Sequence, residues 1–395
     1  MPRASSVRKV LIYRLGSLGD MVVALPCFHL IAQAFPEAER VLLTNFPVHS
    51  KAPAAAAVLR NSDLVHGYIG YHVGTRNIGE LARLAWRIRS FNPDIVIYLM
   101  PVRPAKDVIR DRRFLKLVGG ARIFGIPGEE ERKHAFDPKS GRYEAEASRL
   151  ARSLSALGDV NLEDRGNWSL NLTVEEKGAA AVALGPLMRK PLVVCGPGTK
   201  MQAKDWGQEN WRALLTWFHS RYPDFGLAFI GAVEDSDVCE YAARDWAGPR
   251  INLCGKLTPR ESAAVIEHAR VFLGPDSGPM HLAASVGTPC VAAFSARAMP
   301  GTWFPYGHQH QVIYHQTSCY GCHLETCIAE ARRCLTSITV QEMADAVCRV
   351  LDGDSKSTGR FRITGTVLST GTQRPAGSKY ITGRHRLPSD IRDSK

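Results

Sequence analysis

Short apolar runs rich in β-branched residues alternate along the chain with longer stretches whose apolar positions recur at helical spacing. "KVLIYRL" (9–15), "RVLLTN" (40–45), "LVHGYIG" (64–70), "DIVIYLM" (94–100) and "ARIFGI" (121–126) read as strands. Helical patterns at 20–35, 77–90, 105–118 and 142–157 fall among them. A polar stretch, "GDVNLEDRGNWSLNLTVEEKG" (158–178), interrupts the rhythm, which restarts at "KPLVVCGPG" (190–198). Further strand-like runs follow in "FGLAFIGA" (225–232), "RINLCG" (250–255), "RVFLGPDSG" (270–278) and "TPCVAAFSA" (288–296). Helical patterns near 207–221, 236–246, 259–269 and up to about 286 separate them. This is the βαβ rhythm of a parallel, doubly wound α/β sheet, met twice; it predicts two units, 1–185 and 186–352. No repeat of solenoid length is visible.

A length of 395 residues suits two such units, and 45% apolar with 22% charged residues is ordinary for a globular protein. The net charge of +12 is uneven: residues 353–395 hold nine Lys or Arg against three Asp and supply half of it. That segment is rich in Ser, Thr, Gly and Arg with little apolar periodicity, so disorder is expected there. The excess left on the body favours an anionic partner. No run approaches the ~18 apolar residues of a spanning helix. After Arg3, Arg8 and Lys9 only "VLIY" precedes Arg14, too short for the core of a secretory signal. A cytoplasmic protein is expected, with room for peripheral association at the inner-membrane face.

Open α/β sheets bind ligands beyond the carboxyl ends of their strands, so the loops there carry the candidate chemistry. "RLGSLGD" (14–20) follows the first strand and opens a helix. Its glycines permit a tight turn, and Asp20 suits a helix start, with a carboxylate placed for chemistry as the alternative. "GPGTKMQAKDW" (196–206) lacks P-loop spacing, yet Thr199, Lys200 and Lys204 place a hydroxyl and two cations beside a glycine turn. In "FIGAVEDSD" (229–237), Glu234 and Asp235 sit where an acid accepts from ribose hydroxyls or simply complements a helix dipole. "GPDSGPMHLAASVGTPCVAAF" (274–294) ends a strand at Gly274 and starts a helix near Pro279. It offers amides for a diphosphate, with Asp276 and His281 presented at the cleft.

Taken together, "RLGSLGDMVVALP", "GTKMQAKDW", "GAVED" and "DSGPMHLAASVGTPCVAAF", in the matching βα order over residues 8–350, resemble glycosyltransferase family 9. These are the ADP-heptose:lipopolysaccharide heptosyltransferases and their relatives. The resemblance implies the GT-B fold: two Rossmann-like doubly wound domains facing across a cleft, the N-terminal one binding the acceptor and the C-terminal one the nucleotide-sugar. It implies an inverting, metal-independent transfer without a cofactor, with ADP-L-glycero-D-manno-heptose or a related ADP-sugar as donor. The implied acceptor is an anionic lipopolysaccharide core or other cell-surface glycan, and no nucleic acid is expected. Residue by residue, it makes Asp20 the general base and Lys204 a catalytic and diphosphate-binding cation. Ser17, Gly19, Thr199 and Lys200 join the donor site, with Glu234 on the ribose. Asp276, Ser277, Gly278, Met280 and His281 match the loop that holds donor sugar and phosphates. Two positions depart from the common pattern: Gly16-Ser17 where Ser-Ser or Thr-Ser is frequent, and Lys200 where a second hydroxyl is frequent. A free Asp titrates near ~3.9, so partial burial is needed to make Asp20 a useful base.

Two further stretches remain. "PVRPAKDVIRDRRFLKLVGG" (101–120) spaces Arg103, Lys106, Arg110 and Arg113 three or four apart, a candidate face for an anionic acceptor. Arg103, Lys106 and Arg110 are the acceptor candidates, with a solvated, ion-paired helix as the alternative. "CYGCHLETCIAEARRC" (319–334) brings Cys319, Cys322, Cys327 and Cys334 close in sequence. Four thiolates can hold zinc or iron, but intervals of two, four and six residues are not a paired ribbon; local disulfide or thiol packing is the expectation. The six scattered cysteines read as buried small hydrophobes. Other functions stay open: a nucleotide-sugar epimerase of the same fold, and a nucleic-acid binder using the basic tail, which offers only Phe361 and Tyr380 for stacking.

Overall fold

The computed structural model describes residues 7–46, 54–328 and 330–353. The first sheet has strands β1 (Lys9–Tyr13), β2 (Glu39–Asn45), β3 (Gly67–Tyr71), β4 (Ile95–Tyr98) and β5 (Arg122–Phe124), all parallel in the order β3-β2-β1-β4-β5. β1 and β4 are apolar along nearly their whole length because helices cover both faces. On one side lie α1 (Leu18–Val23), α2 (Leu25–Ala34) and α3 (Ala56–Leu59), which pack on Val10, Ile12 and Leu42. On the other lie α4 (Ile78–Phe91) and α5 (Ala105–Gly119), whose Leu84, Ile88, Val108, Leu115 and Val118 meet Leu11, Val41 and Val96.

A two-stranded hairpin, β6 (Phe136–Asp137) with β7 (Arg142–Tyr143), leads to α6 (Glu146–Ser153), and α7 (Val174–Leu184) precedes the second sheet. That sheet holds β8 (Leu192–Cys195), β9 (Gly226–Phe229), β10 (Arg250–Asn252), β11 (Val271–Pro275), β12 (Cys290–Phe294) and β13 (Gln311–Tyr314). Its strands are parallel, in the order β10-β9-β8-β11-β12-β13. Helices α8 (Gln208–Arg221), α9 (Ser236–Ala242) and α13 (Val340–Leu351) cover one face, with α12 (Arg333–Thr336) just before the last. α10 (Pro259–Glu267) and α11 (Gly278–Ser285) cover the other, and their core is continuous with that of α1–α3. Among the described residues no helix is long and apolar enough to cross a membrane. Apart from Gly353, the expected disordered tail lies outside the described residues.

Three local differences from the sequence pattern have physical causes. The single helix expected over 20–35 is two, because Pro26 has no N–H to continue the ladder and becomes an early residue of α2. The helix expected from 142 starts at Glu146, since Arg142 and Tyr143 pair in the hairpin. The polar stretch 158–178 conceals the start of α7, where Thr173 Oγ1 accepts from Glu176 N–H at 3.3 Å and Glu176 Oε2 accepts from Thr173 N–H at 2.9 Å.

Arg260 of α10 joins the two units. Its Nε and Nη2 donate to the Glu176 carboxylate at 2.6 and 2.9 Å, and its Nη1 donates to the carbonyls of Val58 and Leu170 at 3.0 and 2.8 Å. One 3%-exposed guanidinium thus ties α10 to α7, to the segment before it and to α3. Arg260→Ala takes the guanidinium away from Glu176 and from the carbonyls of Val58, Leu170 and Asn171, and a loss of about 3 kcal/mol is expected in urea unfolding. A change below about 0.5 kcal/mol would remove Arg260 from this role.

Candidate active site

In each sheet the chain reverses its direction of winding beside the unit's first strand, between β1 and β4 and between β8 and β11. The loops leaving β1, β8 and β11 line one cavity of about 430 Å³. Ser17, Gly19 and Asp20 come to it from the first unit; Thr199, Lys200, Lys204, Asp276, Ser277, Gly278 and His281 come from the second.

Asp20 occupies the first turn of α1, with Ser17 just before the helix. Its Oδ2 accepts the Ser17 N–H at 2.8 Å. Gly16 has φ +138°, and a Cβ there would lie 2.3 Å from Asp20 Cγ, so the turn that aims this carboxylate requires glycine. Beneath the turn, fully buried Arg14 donates Nη2 to the Asp20 carbonyl at 2.7 Å and Nη1 to the Leu99 carbonyl at 3.2 Å. Glu146 Oε1 is 3.9 Å from Arg14 and is clasped by Arg149, whose Nε and Nη2 donate to the two carboxylate oxygens at 2.7 Å each. Burial pulls the Arg14 guanidinium below its ordinary value, and the charges of Asp20 and Glu146 oppose that pull.

Across the cavity, Lys204 ends a short 3-10 turn (Gln202–Lys204) and places Nζ 2.8 Å from Asp276 Oδ2. Ser277 precedes α11, and its buried Oγ has no hydrogen-bond partner among the described residues. Thr199 Oγ1 accepts from Met201 N–H at 3.3 Å, while Lys200 is exposed at the rim. The two walls touch where α1 meets α11. A Cβ on Gly19 would lie 2.9 Å from His281 Cδ2, and one on Gly278 would lie 2.6 Å from Leu18 Cδ2. The first motif and the last are therefore in contact across the cleft.

Not every candidate residue comes to the cavity. Met280 is fully buried in the core, and Glu234 is exposed on the turn Val233–Asp235; neither lines the wall. Asp235 does line it, its Oδ2 accepting from Ala232 N–H at 2.9 Å. On the acceptor side, Arg103 precedes α5 and turns inward to the buried Asp111 at 2.5 Å, where Tyr98 also donates at 3.1 Å. Arg110 pairs with Asp107 at 3.2 Å and Asp111 at 2.9 Å, and Lys106 is exposed on the first turn of α5. These three cations lie outside the cavity wall, and the common helical face expected of them is broken because Arg103 serves a buried carboxylate.

The cysteine-rich stretch braces the Lys204 loop from outside. Ala203 N–H donates to Glu325 O at 3.0 Å, Cys327 N–H to Gln202 Oε1 at 2.9 Å, and Arg332 Nη1 to Asp205 O at 2.8 Å. Arg297, another wall residue, donates Nε to Leu324 O at 2.8 Å and Nη2 to His323 O at 2.9 Å. Cys319, Cys322, Cys327 and Cys334 are free thiols, which corrects the option of a local disulfide. Among the described residues no group of three or more His, Cys, Asp or Glu is gathered to hold a metal ion. Of the scattered cysteines, five are buried and Cys348 is partly so. Arg297 and Trp303 line the cavity too, from the segment after β12. No glycine turn or charge pattern marks them in the sequence.

Residues 143–332 match the family model described as glycosyltransferase family 9 (heptosyltransferase). Over 339 residues the chain is 24% identical to lipopolysaccharide heptosyltransferase 1 of Pseudomonas aeruginosa, covering 81% of this chain and 87% of that one. It is 35% identical over 106 residues to an Escherichia coli lipopolysaccharide heptosyltransferase 3, covering 26% of this chain and 31% of that one. The solved glycosyl transferase family 9 protein of Veillonella parvula superposes with a TM-score of 0.65 at 18% identity, over 88% of this chain and 98% of that one. The E. coli heptosyltransferase WaaC with ADP-2-deoxy-2-fluoro heptose superposes with a TM-score of 0.54 at 18% identity, over 88% and 99%. At that identity the structures show the shared fold, which is GT-B.

Burial pulls the His281 imidazole from 6.5 down to about 4; Asp276 and Asp20 oppose the shift and Lys204 adds to it. The folded protein therefore keeps His281 neutral, while the unfolded chain takes up its proton below about pH 6.5. Between those two values the unfolded state binds more protons, so stability falls as the solution is acidified. Urea unfolding at stepped pH should show His281→Asn with a flatter profile over this window, by on the order of 3 kcal/mol at most. An unchanged profile would show that His281 titrates normally. His310, also held at about 4 by burial, keeps its own share of the slope.

Proposed function

From the match of residues 143–332 to the glycosyltransferase family 9 model, we propose that the chain is a member of that family and performs a specific transfer. The cleft moves a heptose or related sugar, with inversion, from an ADP-sugar to an anionic lipopolysaccharide-core or other cell-surface glycan. One observation carries the reading: a single cavity has a carboxylate, Asp20, on one wall, and Lys204 with the start of α11 on the other. The donor and acceptor named for the relatives support the choice of sugar and glycan.

Inverting transfer is one displacement at the anomeric carbon. The acceptor oxygen forms a bond to that carbon while the carbon–oxygen bond to the diphosphate breaks on the opposite face. Asp20 takes the hydroxyl proton as attack proceeds; Ser17 N–H holds Oδ2, and Oδ1 accepts no hydrogen bond among the described residues. Negative charge gathers on the departing diphosphate, where Lys204 and the amides at the start of α11 stand ready. An ammonium has three donors, so Lys204 keeps Asp276 and still serves a phosphate oxygen. Ser277 Oγ supplies a further uncommitted hydroxyl. No step here draws on a metal or cofactor. Thr199, Lys200 and Glu234 remain proposed donor contacts at the rim. Lys106 is the uncommitted member of the acceptor set, with Arg103 and Arg110 shaping its surroundings.

Asp20→Asn preserves the bond to Ser17 and removes the base, so kcat should fall by roughly 100-fold or more while ADP affinity stays within about twofold. Unchanged turnover would refute the base assignment. Lys204→Ala should weaken ADP binding by at least about tenfold and lower kcat as well, measured by calorimetry and product formation. Calorimetry with ADP-, UDP- and GDP-sugars tests the donor directly: a preference for UDP or GDP would overturn the adenine reading. An isomerised donor without transferred sugar would point to an epimerase instead.

A further inference from the structure

The outer helical layer of the first unit, α4 and α5, lies outside the cavity wall, and only Lys106 and Arg110 at the start of α5 enter the acceptor set above. Its inward residues are fully used in the core, but its outward face is unusual for a solvated surface. Trp86 is 67% exposed, Ile109 50% and Leu117 73%, with Ile78 also projecting at the start of α4. Arg89 Nη2 reaches the Leu117 carbonyl at 3.4 Å, so the far ends of the two helices form one continuous surface. Between the apolar side chains stand exposed Arg83, Arg89, Lys106, Arg112, Arg113 and Lys116.

The three acids on these helices do not offset this charge. Glu80 is turned to Thr75 Oγ1 at 2.5 Å and to His72 at 3.7 Å. Asp107 pairs with Arg110, and Asp111 is buried under Arg103 and Arg110. The outward face therefore joins exposed aromatic and aliphatic side chains to a set of uncompensated cations.

We propose that this α4/α5 face docks the protein on an anionic lipid bilayer. Charge complementarity selects the partner: Lys and Arg reach lipid phosphates, while Trp86, Ile109 and Leu117 enter the headgroup boundary. A purely electrostatic partner such as a polynucleotide would make no use of three separated apolar side chains, and Trp86 alone is no stacking platform. The contact is peripheral, with neither helix long and apolar enough to span. Both helices begin just past the carboxyl ends of β3 and β4, the edge at which the cleft opens. Docking on this face brings a membrane-borne acceptor to the rim of the cavity. The inference stands on this surface alone and holds whichever sugar is transferred.

The test is co-sedimentation of the full chain with phosphatidylcholine vesicles that contain or lack phosphatidylglycerol. Binding is expected to the anionic vesicles and to fade at high salt, as surface charges are screened. The variant R112E/R113E/K116E should lower partitioning by on the order of 100-fold, at about fivefold or more per residue reversed. W86A/L117A should also lower it, leaving the salt dependence in place. An unchanged shift in melting temperature on adding ADP shows that each variant is folded. The proposal is overturned if the wild type ignores anionic vesicles, or binds neutral ones equally. It is also overturned if both variants bind as the wild type does, which would assign the contact to another basic segment such as 354–395. Retention of a polynucleotide in place of vesicles, lost in the same variants, would replace the bilayer with nucleic acid. Loss of sugar transfer or donor binding in the wild type bears on the proposed reaction and leaves this result standing.

Discussion

Two guanidinium groups and one carboxylate, all nearly without water, carry the floor of the cleft. Arg14, Glu146 and Arg149 are each at most 1% exposed. Such a group of charges seldom adds net stability over an apolar replacement, because desolvation offsets much of the attraction. Its value here is positional. Arg14 fixes the Asp20 carbonyl and the end of β4, Arg149 reaches the Met100 carbonyl at 2.8 Å, and the Glu146 N–H meets Thr302 O of the second unit at 2.9 Å. The Asp20 turn, the first sheet and the opposite wall are thereby referred to one rigid point. Arg14 Nε finds no partner among the described residues, a cost accepted within the same arrangement.

The opposite wall is organised by a different device. Lys204 and Asp276 neutralise one another at 2.8 Å, so the cation is already aimed at the wall. The two walls then approach through positions without side chains, Gly19 and Gly278, each with no room for a Cβ. This close contact brings the start of one helix from each unit to the same small volume. In the proposed transfer, charge that develops on the leaving group would be met there by donors already in place, which is where electrostatic stabilisation is most effective.

The architecture was largely legible in advance because a buried parallel sheet leaves continuous apolar runs, as in "DIVIYLM" and "CVAAF". Glycine turns after strands were legible for the same local reason, and they drew attention to Asp20, Lys204 and Asp276. What could not be read depended on long-range partners. Arg103 looked like a free cation until Asp111, eight residues on and buried, claimed it. Arg14 looked like an interruption of an apolar run, although it is the buried centre of the Asp20 turn. Glu234 and Asp235 are neighbours in sequence, and only the turn that carries them decides which one faces the cavity. Arg297 and Trp303 left no local mark at all, since tertiary packing alone brings them to the wall.

The brace around the Lys204 loop has a consequence for how the protein comes into being. The loop follows the first strand of its sheet, yet it is held by Glu325, Cys327 and Arg332, the cysteine amide lying 125 residues downstream of the Gln202 side chain it meets. A ribosome adding about 5–20 residues each second delivers that segment many seconds after the lysine has emerged. The Asp20 wall can mature early in synthesis, whereas the Lys204 wall has to wait for nearly the last of the second unit. A nascent or prematurely terminated chain thus holds a formed Asp20 turn with no anchored Lys204 loop opposite, and the cavity is complete only when translation is almost finished.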